Sequence, residues 1–374
     1  MSTIKVSNLQ NSSAASPAFV LASDGSATAN LSSLNGGPIA GSRNRIINGD
    51  MRIDQRNAGA SVTPNNSYTF DRWQGQNSQT SKYTVQQTTT SASFFTKALL
   101  ATSSSAYSVV SGDYFFLNQP VEAFNTDDLA YGTASAKTTT LSFWVRSSLT
   151  GTFGGSIRNY ATDRSYPFSY TISSANTYEY KTITIPGDTS GTWVAGTNSV
   201  GLYLVFCIGA GSSFLSTANA WAAGNFVGPT GQTSVVGTNG ATFYITGVQL
   251  EPGTVATPFE RRSYGAELAL CQRYFIKLVE PSLSGYAPSG TAVWRMGGVL
   301  PVQMRSSGTV SFTGNPPIQS AGATTISGVA ANYSNNGNSV EFDTTANASI
   351  SVNGSIVKTI CSTSSTAINI SAEL

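Results

Sequence analysis

Apolar residues recur along most of this chain at every second position, which is the period of a half-buried β-strand. In Leu141-Ser142-Phe143-Trp144-Val145-Arg146, the residues Leu141, Phe143 and Val145 share one face. In Tyr180-Lys181-Thr182-Ile183-Thr184-Ile185, the side chains of Tyr180, Thr182 and Thr184 face away from Ile183 and Ile185. Such runs predict strands over 83–87, 94–100, 113–116, 140–147, 152–159, 168–172, 178–185 and 200–209. The run from Leu202 to Ile208 is apolar on both faces, so it predicts a central strand or one covered by a neighbouring subunit. Phe243 to Leu250 is a further β-favouring run. Pro252 and Pro258 follow it and lack the donor a ladder needs. Helical spacing occurs convincingly in one place, Tyr264 to Phe275, where Leu268, Cys271 and Phe275 fall on one stripe and Glu267 lies near the start.

Breakers divide the chain. Residues 1–40 carry short β-like runs (Ile4, Val6 and Leu9, then Phe19 to Leu21) with a turn signal at Ala22-Ser23-Asp24-Gly25-Ser26. They have too little apolar surface to fold alone and predict an arm that orders against a partner. Gly36-Gly37-Pro38 to Gly41 marks a boundary. The expected division is an arm over 1–40, a β-domain over 41–262, a helical connector over 263–280 and a second β-domain over 281–374. In the last of these, strands are predicted over 292–296, 299–304, 309–312, 339–342, 348–352, 356–360 and 367–372, with a polar spacer from Asn332 to Asn338. They suggest a small sandwich packed against its own copies. Many strands with Gly, Asn and Pro turns and no helix between them indicate an all-β, antiparallel jelly-roll sandwich plus a smaller C-terminal β-domain. No repeat of 20 to 50 residues suggests a β-helix.

Composition sharpens this picture. Charged residues make up only 10% of the chain, against about 25% in ordinary globular proteins. So uncharged a surface gives little repulsion between copies and favours self-association. A net charge of +2 and the lack of a basic run give no case for nucleic acid. No apolar run reaches the roughly 18 residues of a membrane span, so no membrane insertion is expected. The first residues lack the basic and apolar regions of a signal peptide. Synthesis in a cytoplasm with action elsewhere is the expectation. Cys207, Cys271 and Cys361 are too far apart in sequence for a metal-type pair and are read as small buried residues.

The chain contains no histidine, which removes Ser-His-Asp and Cys-His hydrolysis and the common zinc sites. Glycoside hydrolysis needs only two carboxylates. Asp50, Asp54, Asp71, Asp113, Asp127, Asp128, Asp163 and Glu179 are available, but none has a catalytic setting. Beside Arg72 and near Trp73, Asp71 reads as half of an ion pair or as a turn cap. Gly209-Ala210-Gly211 is followed by no Walker lysine. No enzyme activity is expected.

Sugar binding keeps support, because aromatic rings stack on saccharide C–H faces while planar polar groups pair with hydroxyls. The densest such constellation is Arg158, Asn159, Tyr160, Asp163, Arg164 and Tyr166. Its alternative is a solvated loop with a local Arg–Asp pair. Trp193 and Trp221 are further candidates, equally readable as packing residues.

Several segments also carry a resemblance. Arg45 to Ile53 (RIINGDMRI), Tyr68 to Trp73 (YTFDRW), the "IPGDTSGTW" and "AWAAGN" stretches around Trp193 and Trp221, and FYITGVQLE, TPFE and ELALCQRYF between Phe243 and Phe275 follow one another in this order. The chain resembles the jelly-roll, carbohydrate-binding-module-like domain of bacteriophage fibre proteins. That resemblance implies a virion appendage, homotrimeric, attached to another virion protein through its N-terminal arm, and binding host-surface polysaccharide. A tail or capsid decoration protein without receptor binding is the alternative. A polysaccharide depolymerase is a third. Calcium often braces the resembled domains through a carboxylate of the final strand. Tyr244 to Val248 offers none, so no cofactor is expected and a structural calcium is doubtful.

Overall fold

A computed structural model describes residues 43–90, 92, 94–279, 297–313, 339 and 367–374, and the backbone of several further strands on either side of them. Twelve strands build the main domain. They are β1 (Ser67–Phe70), β2 (Trp73–Asn77), β3 (Tyr83–Thr89), β4 (Lys97–Ser103), β5 (Tyr114–Glu122), β6 (Thr139–Ser147), β7 (Gly151–Asn159), β8 (Arg164–Ile172), β9 (Glu179–Ile185), β10 (Val200–Ala210), β11 (Ala222–Ala223) and β12 (Thr242–Pro252). One antiparallel sheet has the order β11-β8-β7-β10-β5-β2-β1 and the other β9-β6-β12-β4-β3. The short strands Leu215–Ser216 and Gly228–Pro229 form a separate parallel ribbon.

The period-two pattern sets the core. Leu141, Phe143, Val145, Phe153, Ile157, Leu204, Phe206, Phe243 and Ile245 all point between the sheets and are fully buried. Phe143 meets Phe206 across the gap, edge to face, at 5.0 Å. β10 is a central strand, as its two apolar faces require. Leu202, Leu204, Phe206 and Ile208 enter this core, while Val205 and Cys207 join a smaller cluster with Phe116 and Val227 on the outward face.

Strand bounds depart from the sequence pattern where prolines and tight turns intervene. Strand β5 runs on through Pro120, whose carbonyl accepts from Arg72 Nη2 at 2.7 Å. Pro167 does the same in β8, accepting from Asn219 N at 2.7 Å. Phe94 precedes β4 rather than starting it. Its φ of 62° and 91% exposure place it in the turn. β12 continues to Pro252, beyond the expected stop at Leu250.

Arg45 to Ile53, Tyr68 to Trp73 and the segment after β12 meet in one buried polar cluster. Asn48 has a left-handed φ of 56°. Its side chain accepts from Ile53 N and donates to the carbonyls of Ile53 and Asp71. Its own amide donates to Glu267 Oε1 at 2.5 Å. Beside it, Gly49 touches β12 so closely that a Cβ would lie 2.1 Å from the Val248 carbonyl oxygen. Asp71 does not pair with Arg72. It accepts from Gln55 N and Gln55 Nε2 at 2.6 and 2.7 Å, and Arg72 reaches Glu373 instead.

The connector helix α1 (Tyr264–Gln272) is shorter than its apolar spacing suggests. Ser263 caps it by accepting from Ala266 N. Phe275 already belongs to the next strand, β13 (Phe275–Val279). Cys271 and Phe275 are buried, and Leu268 packs beside Cys271. β13, β15 (Ala367–Ser371) and β14 (Thr309–Thr313) form a three-stranded sheet with β15 in the middle. Arg273 and Tyr274 hold it to the sandwich through Glu122: Arg273 forks onto the carboxylate at 3.0 and 2.6 Å, and Tyr274 Oη donates at 2.5 Å.

Instead of the expected small sandwich, six further strands close into a barrel. They are Ser282–Tyr286, Val293–Val299, Ser339–Ala346, Ala323–Tyr333, Pro317–Gln319 and Ile356–Ile360. Closure removes the edges that would otherwise seek a partner. The expected strand over 299–304 is absent, since that run leaves the ladder after Val299. The expected strand over 348–352 lies outside the described residues, as do Cys361, Ile4, Val6 and the turn at Ala22 to Ser26. At the N-terminus, Asn8–Leu9, Phe19–Leu21 and Ala27–Ala29 pair into an antiparallel sheet.

Two outcomes follow from the polar cluster. Glu373→Ala would leave Arg72, 1% exposed, with no carboxylate, and loss of one partner of a buried pair costs about 3–5 kcal/mol. Urea unfolding should show that loss, and a change below about 1 kcal/mol would contradict the pairing. Burial raises Asp71 from 3.8 to about 6, against the opposing pull of Arg56 and the Gln55 hydrogen bonds. Between those values the folded state binds the proton more tightly than the unfolded chain, so this group's contribution falls as pH rises from about 4 to about 6. The term is on the order of 2–3 kcal/mol, and Asp71→Asn should remove that slope from the pH profile of the urea midpoint.

Candidate functional site

A groove of ≈ 390 Å³ crosses the outward face of the seven-stranded sheet. Alternation along the strands builds its floor. On β5, Tyr114, Phe116 and Asn118 point outward, while Phe115 and Leu117 enter the core. Neighbouring strands add Tyr203 from β10, Arg158 from β7, and Gln74 and Gln76 from β2. In register, Arg158 lies opposite Tyr203, and Phe116 lies opposite both Cys207 and Gln76. The chain after β10 supplies one wall with Phe214, Asn225 and Val227, tied by Val227 N to the Phe214 carbonyl at 2.8 Å. Thr162, at the β7–β8 turn, and Leu374 also line the groove.

The groove mixes rings with planar polar groups. Tyr114 packs at 5.6 Å from Phe116 and 5.1 Å from Phe214. Gln74 Oε1 accepts from Asn118 Nδ2 and Gln76 Nε2 at 3.0 and 3.1 Å. Asn118 Oδ1 is buried with no partner. The guanidinium of Arg158 sits 5.0 Å from the Phe116 ring and 5.5 Å from the Tyr203 ring. It donates to Asn225 Oδ1 at 2.6 Å. Burial pushes it down to about 10.

Of the eight residues singled out in the sequence, only Arg158 lines this groove. The Asn159 side chain ties the β7–β8 turn, accepting from Asp163 N and Arg164 N and donating to Asp163 Oδ1 and the Thr192 carbonyl. Arg164 forks onto Asp188 at 2.8 and 2.6 Å. Tyr160 stands exposed at the turn. Tyr166 is buried in the core, 5.2 Å from Trp221. Trp193 and Trp221 pack edge to face on Tyr131 at 4.8 and 5.8 Å, and their indole N–H groups donate to the carbonyls of Ser190 and Pro186. Sequence reasoning missed Gln74, Tyr114, Phe116, Asn118, Tyr203, Phe214 and Asn225. Its usable signal was the alternation Tyr114-Phe115-Phe116-Leu117-Asn118, in which both faces carry rings.

The eight carboxylates weighed for hydrolysis are each engaged elsewhere. Asp50 pairs with Arg52, Asp128 with Arg45 and Glu179 with Lys181. Asp54, Asp71, Asp113, Asp127 and Asp163 accept from turn amides or side chains. A second groove of ≈ 340 Å³, on the outward face of the five-stranded sheet, is lined by Phe94, Phe95, Trp144, Tyr180, Phe259 and Arg261 among others. Neither groove is lined by Asp or Glu.

The final strand does contain an acid, because it extends to Glu251. That carboxylate is 1% exposed and accepts from Thr257 N, Thr257 Oγ1 and Gln249 Nε2 at 2.8, 2.6 and 2.8 Å. It braces the chain leaving the sandwich and does not fit a calcium ligand. Among the described residues, no three Asp, Glu, Cys or His side chains come together as a metal site, and no helix is long and apolar enough to cross a membrane. Cys207 and Cys271 are buried thiols, each pushed up by burial.

No protein-family model matches this sequence, and no curated protein matches it. Among solved structures, it is similar to a candidate sugar-binding protein from Bacteroides thetaiotaomicron at 12% identity, covering 56% of this chain and 100% of that one with a TM-score of 0.34. It is similar to a family 4 carbohydrate-binding module at 14% identity, covering 55% and 97% with a TM-score of 0.29. A third likeness is to the enzymatically active domain of tailspike protein 4 from bacteriophage CBA120, at 12% identity, covering 56% and 21% with a TM-score of 0.28. At these scores the likenesses carry no argument about what this chain binds.

Proposed function

We propose that this chain is a glycan-binding protein whose site is the groove on the seven-stranded sheet. The observation that carries this reading is the floor of Tyr114, Phe116 and Tyr203 beside the amides of Gln74, Gln76, Asn118 and Asn225. Rings of this kind stack on the C–H face of a sugar, and amides bond its hydroxyls as donor and acceptor. Asn118 Oδ1 is a buried acceptor without a partner at the groove floor. With no Asp or Glu side chain in its lining, the groove lacks the carboxylate pair of a glycosidase and is suited to holding a saccharide rather than cleaving it.

In the fuller form of this proposal, the chain is a homotrimeric appendage of a phage particle. It is joined to another virion protein through its N-terminal arm, and the groove faces host-surface polysaccharide. The sequence motifs between Arg45 and Phe275 support the virion role. The low charge of the chain and the exposed rings of Phe94 and Tyr180 support self-association.

A glycan array probed with the purified chain should show retention on particular polysaccharides. Tyr114→Ala with Tyr203→Ala should weaken that retention by about 10–100-fold, since each ring–sugar contact contributes about 1 kcal/mol or somewhat more. Retention unchanged by the pair, with the protein folded, would remove this groove as the site.

A further inference from the structure

We infer that the groove selects acidic saccharides, with Arg158 receiving a sugar carboxylate. This inference rests on the glycan-binding role of the groove and specifies its ligand class. Two arginines of the described residues are buried, Arg72 and Arg158. Arg72 has a carboxylate from Glu373. Arg158, 5% exposed, makes no ion pair, and its one hydrogen bond goes to the neutral amide of Asn225. Its Nε is buried without a partner.

A guanidinium in such a place has lost its water without gaining an opposite charge, which is costly unless a ligand supplies one. No Asp or Glu side chain lines the groove, so Arg158 is the one charged side chain in its lining. The rings of Phe116 and Tyr203 lie beside the guanidinium, whose planar fork matches a carboxylate better than a point charge does. The sugar ring would lie on the aromatic floor, with its acid group turned toward Arg158.

Elsewhere the molecule pairs acids with local cations. Arg45 takes Asp128, Arg164 takes Asp188 and Lys181 takes Glu179. Arg146, Arg261 and Arg305 also lack an acid partner but are less buried, so Arg158 is set apart by being buried without one.

The test uses oligogalacturonate, oligomannuronate and hyaluronan fragments, each beside its carboxyl-reduced, neutral counterpart of the same length and linkage. Calorimetric titration into the full chain should show at least one acidic member binding about tenfold or more tighter than its reduced form, the size of a charge-assisted hydrogen-bond contribution. Arg158→Gln should erase that difference, so that the variant binds each acidic fragment and its reduced form equally. It removes a buried unpaired charge, so folding should not suffer. The reduced-sugar comparison needs no variant and stands if Arg158→Gln does not fold.

Equal binding of acidic and reduced forms, with loss in the Tyr114 and Tyr203 variant, would overturn acid selection and leave the glycan site intact. Tighter binding of a sulfated fragment than of any uronate would overturn the carboxylate assignment. Absence of binding by every acidic fragment, together with retention of neutral glycans on the array, would also overturn it. Absence of both would overturn the glycan-binding role itself.

Discussion

The buried ion pair between Arg72 and Glu373 is the constraint on which the rest of the molecule depends. Arg72 lies at the turn between β1 and β2, and Glu373 follows β15, some three hundred residues later in the chain. A guanidinium this deep is tolerable only with a carboxylate and further acceptors, here Glu373 and the Pro120 carbonyl. The Tyr274 ring lies 3.5 Å from the same guanidinium. One charge thus fastens the edge of the seven-stranded sheet, the strand after the connector helix and the C-terminal residues together. Arg56 reinforces the join by reaching Glu373 at 2.6 Å while lying over Phe275.

This fastening leaves the outward face of the sheet open. The polar cluster around Asn48, Asp71 and Glu267 holds the sandwich ends from one side, and the two-sheet aromatic core holds it from within. The groove side chains therefore stand on strands whose opposite faces are fixed, which suits a site that must hold a sugar in one orientation. Arg72 and Arg158 illustrate the division. Among the described residues, arginine is buried twice, once with a carboxylate of its own chain and once with none.

The fold class was legible in the sequence because the period-two pattern is strong. Residues such as Leu141, Phe143 and Val145 face the core as expected. The motif segments were legible as a group, and their meeting in one cluster accounts for their distinctive residues: Asn48 for its left-handed turn, Gly49 for the missing Cβ, Arg72 and Glu267 for buried polar bonds. What they mark is the scaffold. The binding face was poorly legible, since a groove assembled from β2, β5, β7 and β10 draws single residues from distant positions. The compact Arg158 to Tyr166 run looked like a site because its polar and aromatic residues are adjacent in sequence. In space the strand alternates them apart, sending Arg158 to the groove, Asn159 to the turn and Tyr166 to the core. The C-terminal barrel was misread because alternation marks strands without showing whether a sheet closes on itself, and Ala323–Tyr333 was not among the expected strands.

The most direct measurement is a crystal structure of the chain soaked with an acidic oligosaccharide. The account predicts a sugar ring against Tyr114 and Tyr203, its carboxylate within hydrogen-bond distance of the Arg158 guanidinium. Sugar bound instead along Phe94, Trp144 and Tyr180 on the opposite sheet, with the Arg158 groove filled by water alone, would contradict it.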